Sequence, residues 1–251
     1  MKYVVTVFIL LLLLLITSCM ENNVIGPLVT QTSFRYIPSN EAREHYLLKA
    51  TEFAVEYLIA TKSPDTNSII VPEIILNKFL YPLAFLYDSC KSIPLLDTLI
   101  IQKHIRKQIN HCYGSAIKVD TSYLWAKNIK NDILPTGNII VDSLVKLYSL
   151  EFDRDIWWGF QGYAWIFIRH KPLNVWALGN AFRKVPGVFN TEPNTAISFF
   201  SDLDVIPSST QTTVRFYAGY GDCFAGCFGY ERWTFTVSRD YKIKYEGYLL
   251  Q

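Results

Sequence analysis

The residues of this chain whose types and spacing could carry chemistry are five cysteines, two groups of carboxylates and a few histidines. Cys19 closes the tetrad Ile16-Thr17-Ser18-Cys19, which follows Lys2 and an apolar run from Val4 to Ile16. That order of charge, short apolar core and small residues before a cysteine is a secretory signal with a lipoprotein-type cleavage box. It predicts residues 1–19 as a signal peptide and Cys19 as the lipidation site, the diacylated first residue of the mature chain. The apolar run falls short of the ~20 residues that span a bilayer. Four cysteines then remain, an even number that suits disulfides in an exported chain. Spacing favours Cys90 with Cys112 and Cys223 with Cys227, although three pairings exist and free buried thiols are the alternative.

The carboxylates offer less. Glu151, Asp153 and Asp155 share one face if their segment is a strand, and Asp202 and Asp204 stand two apart. The first set could hold a divalent cation, but a solvated strand face beside Arg154 explains it as well. Asp202-Leu203-Asp204 lacks the glycine and the spaced glutamate of a calcium loop. His104 and His111 lie seven apart without the further ligands that zinc needs. Cys223 and Cys227 have no neighbouring histidine, and the glycines around them predict a turn between strands, not the helix N-terminus that lowers a catalytic thiol's pKa. There is no Gly-x-Ser-x-Gly elbow, and the glycines of 219–229 join no strand to a helix, so neither acyl transfer nor phosphate cradling is supported. The expectation is a chain without catalytic residues, metal or cofactor.

Composition and patterning say what positions these residues. Charged residues make up 18% and the net charge is +2, below the ordinary charged share of about a quarter. With no long basic run, nucleic acid is not an expected partner. Sixteen tyrosines and 16 phenylalanines favour a dense core that contains sheet. Residues 20–38 mix Asn, Gln, Thr, Gly and Pro and read as a tether. Residues 39–115 read as a helical region. Ser39 and Asn40 can cap a helix that carries Ala42, Tyr46, Ala50, Phe53 and Leu58 on one face through about Ala60. One or two short helices follow between Ile69 and Cys90, with Pro82 as a kink, and a third is expected over Asp97–Cys112.

From 116 to 251 the pattern is α+β. Strands are expected at Tyr123–Lys130, Phe152–Trp158, Tyr163–Ile168 and Gly187–Asn194, with helices after Asn138 and from Leu173 to about Lys184. The resulting order β-α-β-β-α-β is that of a ferredoxin-like sheet. Residues 194–212 read as a loop. Three strands, Thr213–Tyr217, Arg232–Ser238 and Lys242–Tyr248, complete a C-terminal antiparallel meander in which Trp233, Phe235 and Val237 point to the core. The aromatic surplus, which includes Trp157, Trp158, Trp165, Tyr217, Tyr220, Phe224, Phe228 and Tyr230, reads as mostly core, and an exposed share could form a platform for a peptide or glycan.

Two resemblances add to this. The segment with Pro172-Leu173-Asn174, Ala177-Leu178, Phe182, Val185-Pro186-Gly187-Val188 and Glu192-Pro193-Asn194 resembles the helix–strand half of subtilisin-type protease propeptides over about thirty residues. Gly221-Asp222-Cys223-Phe224-Ala225-Gly226-Cys227 followed by Trp233-Thr234-Phe235-Thr236-Val237 resembles the end of a set of uncharacterised lipoproteins of Bacteroidota type, while the helical first half has no match there. These imply a compartment and a fold. The expected function is that of a non-enzymatic envelope protein, held to a membrane by its N-terminal lipid, that binds an unknown protein or peptide, for instance through a sheet edge. The alternatives are a propeptide-like protease inhibitor and a metal- or redox-dependent envelope enzyme.

Overall fold

The computed structural model describes residues 36–105, 114–160, 162–193, 201–220 and 228–250, with backbone alone for 154–160 and 201. These residues belong to one compact unit, 36–251. It is α+β, with N-terminal helices followed by two four-stranded antiparallel sheets.

Helix α1 (Asn40–Ala60) starts where the sequence places it: Ser39 is extended and its Oγ accepts from the Ala42 N–H at 3.1 Å. Its buried stripe includes Tyr46, Ala50, Phe53, Ala54 and Leu58. The chain then makes a 3-10 turn, Pro64–Asn67. Helix α2 (Glu73–Asp88) is a single helix with Pro82 inside it, not two short ones. A proline costs about 3 kcal/mol in a helix interior. Phe79, Leu80, Leu83 and Leu86, all buried against α1 and its surroundings, offset that at ~1.5–3 kcal/mol for each fully buried side chain. A helical turn at Pro94–Leu96 runs into a π-helical segment, Asp97–Gln102, where a longer α-helix was expected. Two residues after it, His104 has a φ of 49°.

Sheet A has the order β2-β3-β1-β4, built from β1 (Gly114–Asp120), β2 (Glu151–Phe160), β3 (Tyr163–Arg169) and β4 (Val188–Pro193), with antiparallel neighbours throughout. Helices α3 (Leu124–Lys130) and α4 (Ile139–Tyr148) connect β1 to β2, and α5 (Val175–Phe182) connects β3 to β4. The strand expected at Tyr123–Lys130 is therefore a helix, and the first strand lies earlier. Trp125, Ala126 and Ile129 are buried at helical spacing, and the Trp125 indole N–H donates to the Pro186 carbonyl at 3.0 Å. Burial of that face overrides the aromatic strand propensity of the segment. Ile117 and Val119 of β1 and Ala164, Ile166 and Ile168 of β3 form one apolar cluster with the three helices.

Sheet B is a meander, β5-β6-β7-β8, of Ser201–Pro207, Gln211–Tyr220, Gly229–Ser238 and Ile243–Leu250. Trp233, Phe235 and Val237 are buried as the alternation predicts. The stretch read as loop contains β5, in which Leu203 and Val205 face the core and Asp202 and Asp204 the other side. The inner face of sheet B shares its core with α1, α2 and the π-helical segment. The helices of 40–102 thus have no separate core. They are completed by strands that begin a hundred residues later. A chain ending at Pro193 is expected to lose hydrogen-exchange protection throughout α1 and α2. Protection unchanged from the full chain would show that the helices fold without sheet B.

Among the described residues a buried ionic contact lies inside this helical layer. Lys49 Nζ and Glu52 Oε2 are 2.6 Å apart, with side chains 6% and 2% exposed. Removing one partner of a buried pair strands a charge and typically costs ~3–5 kcal/mol, whereas apolar replacement of both is close to neutral. Glu52→Ala is expected to lower unfolding stability by about that much. Lys49→Met/Glu52→Leu should recover most of it in the same urea titration, and equal losses in both variants would contradict this account.

Candidate functional site

A cleft of about 560 Å³ lies where α2 meets the turn end of sheet B. One wall is helical, with Tyr57, Asn77, Lys78, Tyr81 and Pro82. The other comes from the β5–β6 turn, with Ser208, Ser209 and Gln211, and from the β7–β8 turn, with Ser238, Arg239 and Tyr241. Local chemistry fixes each wall. Ser208 Oγ accepts from the Gln211 N–H at 3.2 Å, and the Ser208 N–H donates to the Gln211 carbonyl at 2.8 Å. The Arg239 N–H donates to the Thr210 carbonyl at 3.3 Å, which laces the two turns together. Tyr241, at φ 55°, packs its ring on Phe85 at 5.3 Å and on Tyr36 at 4.9 Å. Burial, then the nearby Tyr81, raises the Tyr241 pKa, so its hydroxyl keeps its proton.

The charges in this cleft have one sign. Lys78 Nζ sits 4.9 Å from the Tyr57 ring centroid, and Arg239 is exposed on the facing turn. No carboxylate is among the lining residues. Asp240, beside Arg239, is paired with Lys242 at 2.6 Å. Pro82 has no N–H to give the Lys78 carbonyl, so one helix turn on this wall lacks its main-chain hydrogen bond. A pocket of this size with aromatic faces and a few convergent polar groups has the character of a binding site.

The residues singled out from sequence lie elsewhere. Cys90 is a buried free thiol whose Sγ lies 3.6 Å from the Leu86 carbonyl. Burial, followed by the charges of Asp97 and Asp88, pushes its pKa up to about 11, which keeps it un-ionised at neutral pH. Cys19, Cys112, Cys223, Cys227 and His111 lie outside the described residues. Glu151 and Asp153 line a second hollow of about 390 Å³, but Asp153 accepts from Arg169 at 2.8 and 3.2 Å, and the Asp155 side chain is outside the description. Asp204 accepts from the Tyr217 hydroxyl at 2.8 Å, and Asp202 from the Leu203 N–H at 2.8 Å. His104 is exposed. Among the described residues no group of three or more His, Cys, Asp or Glu side chains is placed to hold a metal ion. Of the expected aromatic platform, Tyr220, Phe228 and Tyr230 are exposed and Trp165 is half-buried, while the side chains of Trp157, Trp158 and Phe224 are outside the description.

The sequence reading missed the cleft because no local motif marks it. Its walls come from segments more than a hundred residues apart, and its tyrosines are common in this chain. Pro82 inside a helix was the one visible signal. It also missed a serine–histidine contact. The Ser115 hydroxyl lies 3.2 Å from His170 Nε2, and His170 Nδ1 lies 2.7 Å from the Lys171 carbonyl. Nδ1 therefore carries the proton, and Nε2 accepts from Ser115. Both residues are more than nine-tenths buried, so the pair fastens the start of β1 to the residue after β3. No protein-family model, no curated protein and no solved structure matches this chain.

Burial lowers the His170 pKa below its ordinary value. Below about pH 6.5 the unfolded histidine takes up a proton that the folded one refuses. Stability therefore falls as the pH drops from about 6.5 toward the depressed folded pKa. Urea midpoints between pH 7.5 and 5 should show this slope in the wild type and a flatter one in His170→Asn. Parallel slopes would contradict the assignment.

Proposed function

We propose that this is a lipid-anchored envelope protein that binds a peptide or protein segment without catalysing a reaction on it, and that the cleft between α2 and the turns of sheet B is its site. The observation that carries this reading is the cleft itself: about 560 Å³, within the ~300–1,000 Å³ range of ligand sites, with walls held by internal hydrogen bonds and rings. A segment lying there would cross the end of sheet B and not extend its edge. The anchor rests on the Ile16-Thr17-Ser18-Cys19 box. No helix among the described residues is long and apolar enough to cross a membrane.

We further read sheet A with α3, α4 and α5 as a ferredoxin-like split βαβ module. What supports it is the order β2-β3-β1-β4 with antiparallel neighbours, and a single apolar cluster joining all three helices to β1 and β3. Its role here is to carry and space the binding layer.

Two measurements check the reading. Cells fed an alkyne-tagged fatty acid should label the wild type and not Cys19→Ser; equal labelling of both would remove the anchor. Panning a random peptide library on the detergent-purified full chain should enrich binders. Ser209→Trp, which fills the cleft from its rim, should reduce their retention at least tenfold. Wild-type protein that enriches nothing, or enrichment that survives the blocked cleft, would refute the site.

A further inference from the structure

Resting on the cleft as the binding site, we infer that it selects an acidic peptide, one that brings carboxylates to Lys78 and Arg239 with an apolar or aromatic residue between them. Three observations lead there. First, the lining carries two cations and no carboxylate. Two carboxylates close in sequence are already engaged: Asp240, next to Arg239, with Lys242 at 2.6 Å, and Glu73, on the helix of Lys78, with the Asn77 amide at 3.5 Å. Among the described residues neither Lys78 nor Arg239 has an ion-pair partner. A guanidinium in that state prefers a two-oxygen anion, which it meets with paired N–H donors.

Second, the cations belong to facing walls, and tyrosine rings stand in the same lining. Lys78 lies against the Tyr57 ring, with Nζ 3.5 Å from its hydroxyl, so this charge is presented from an ordered position. One small anion uses one wall. A chain with spaced carboxylates and a ring-bearing residue between them uses both walls and the aromatic surface. Third, Pro82 lies in the lining and returns no N–H to the Lys78 carbonyl, so this wall has one main-chain acceptor without its helical donor. An amide N–H satisfies that acceptor, which favours a peptide over a simple anion.

The test uses the full chain and two fluorescein-labelled hexapeptide pools of the same Phe, Tyr and Gly content. One pool carries Asp, Glu and a free C-terminal carboxylate. The other carries Asn, Gln and an amidated end. Fluorescence anisotropy should give the acidic pool an affinity at least tenfold higher, weakened between 50 and ~300 mM salt as screening shortens. Lys78→Gln/Arg239→Gln, with its thermal transition checked against the wild type, should bring the acidic pool down to the neutral one. Equal binding of both pools that Ser209→Trp abolishes would leave the cleft as the site and overturn the charge selectivity. An acidic preference that survives the double variant also overturns it. N-acetylglutamate competing as well as the acidic peptides overturns the assignment to a peptide. If neither pool binds, the selectivity falls together with the cleft as the site.

Discussion

The constraint on which the rest of this structure depends is a core that belongs to both ends of the folded chain. Tyr46, Phe53, Leu58, Leu80, Leu83, Leu86 and Ile100 meet Leu203, Val214, Phe216, Trp233 and Phe235 in one cluster. Neither partner has another way to bury that surface: the helical hairpin lacks a second layer, and sheet B would expose a face of aromatic and branched residues. Each fully buried side chain contributes ~1.5–3 kcal/mol, so the layers become stable only when joined. Joining them closes a loop that contains all of sheet A. Contacts of such separation are slow to form, because the chain entropy is lost before the contacts stabilise anything. The entry of the chain is fastened to the same seam. Asp88, at the end of α2, accepts from the Tyr36 hydroxyl and from the Ser39 N–H and Oγ–H, while the Tyr36 ring packs on Tyr81, Phe85 and Tyr241. Those donors hold the Asp88 pKa below the ordinary carboxylate value against the opposing effect of burial.

Sheet A is enclosed by this closure and is attached by few groups. Asn174 is fully buried, and its amide is spent in both directions. Its Nδ2 donates to the Thr66 carbonyl at 2.8 Å and to the Ser68 carbonyl at 3.1 Å, its Oδ1 accepts from Ala177 at the start of α5, and its own N–H donates to the Ile69 carbonyl at 2.9 Å. One side chain thus caps a helix of the sheet A layer and ties it to the loop after α1. A buried amide that satisfies every polar atom specifies a single docking arrangement, because any shift leaves unpaired groups at ~1–3 kcal/mol each. Nearby, α5 approaches β4 so closely that a Cβ at Gly179 would lie 2.7 Å from Thr191 Oγ1.

How much of this could be read from sequence depended on how local the deciding physics was. The Ser39 cap, the stripe of α1, the turn through Asn138 that leads into α4 and the inward row Trp233, Phe235, Val237 are set by neighbours within a turn or a strand, and they were legible. The segment 123–130 looked like a strand because Tyr, Trp and Ile favour strands, and only the packing of Trp125 and Ile129 against β1 and β3 makes 124–130 helical. Strand β5 was hidden by its polar alternate residues: Asp202 and Asp204 suggested loop, although Leu203 and Val205 between them are core. Pro82 suggested a kink and one or two short helices, and burial on both sides of it kept one helix. The cleft was least legible of all. Lys78 and Arg239 come to line one cleft only after the two ends of the chain share a core, and no spacing in the sequence encodes that meeting.

This dependence also explains why the cleft, not the residues with intrinsic reactivity, carries the functional reading. In the described structure the reactive groups are engaged: Cys90 is buried and protonated, His170 is held neutral between Ser115 and a carbonyl, Asp153 is bound by Arg169, and Asp204 by Tyr217. Each has its partner within its own layer, so each stabilises locally and leaves little free energy for a ligand. Lys78 and Arg239 differ because they sit where two layers meet at their rims, beyond the last core contacts, and neither layer supplies the opposite charge. Two cations held at a seam repel each other weakly through solvent, and a chain that brings a carboxylate to each removes that repulsion while it gains both attractions. Bridging would also couple α2 to the turns of sheet B, so a ligand bound there would reinforce the same seam on which the fold depends.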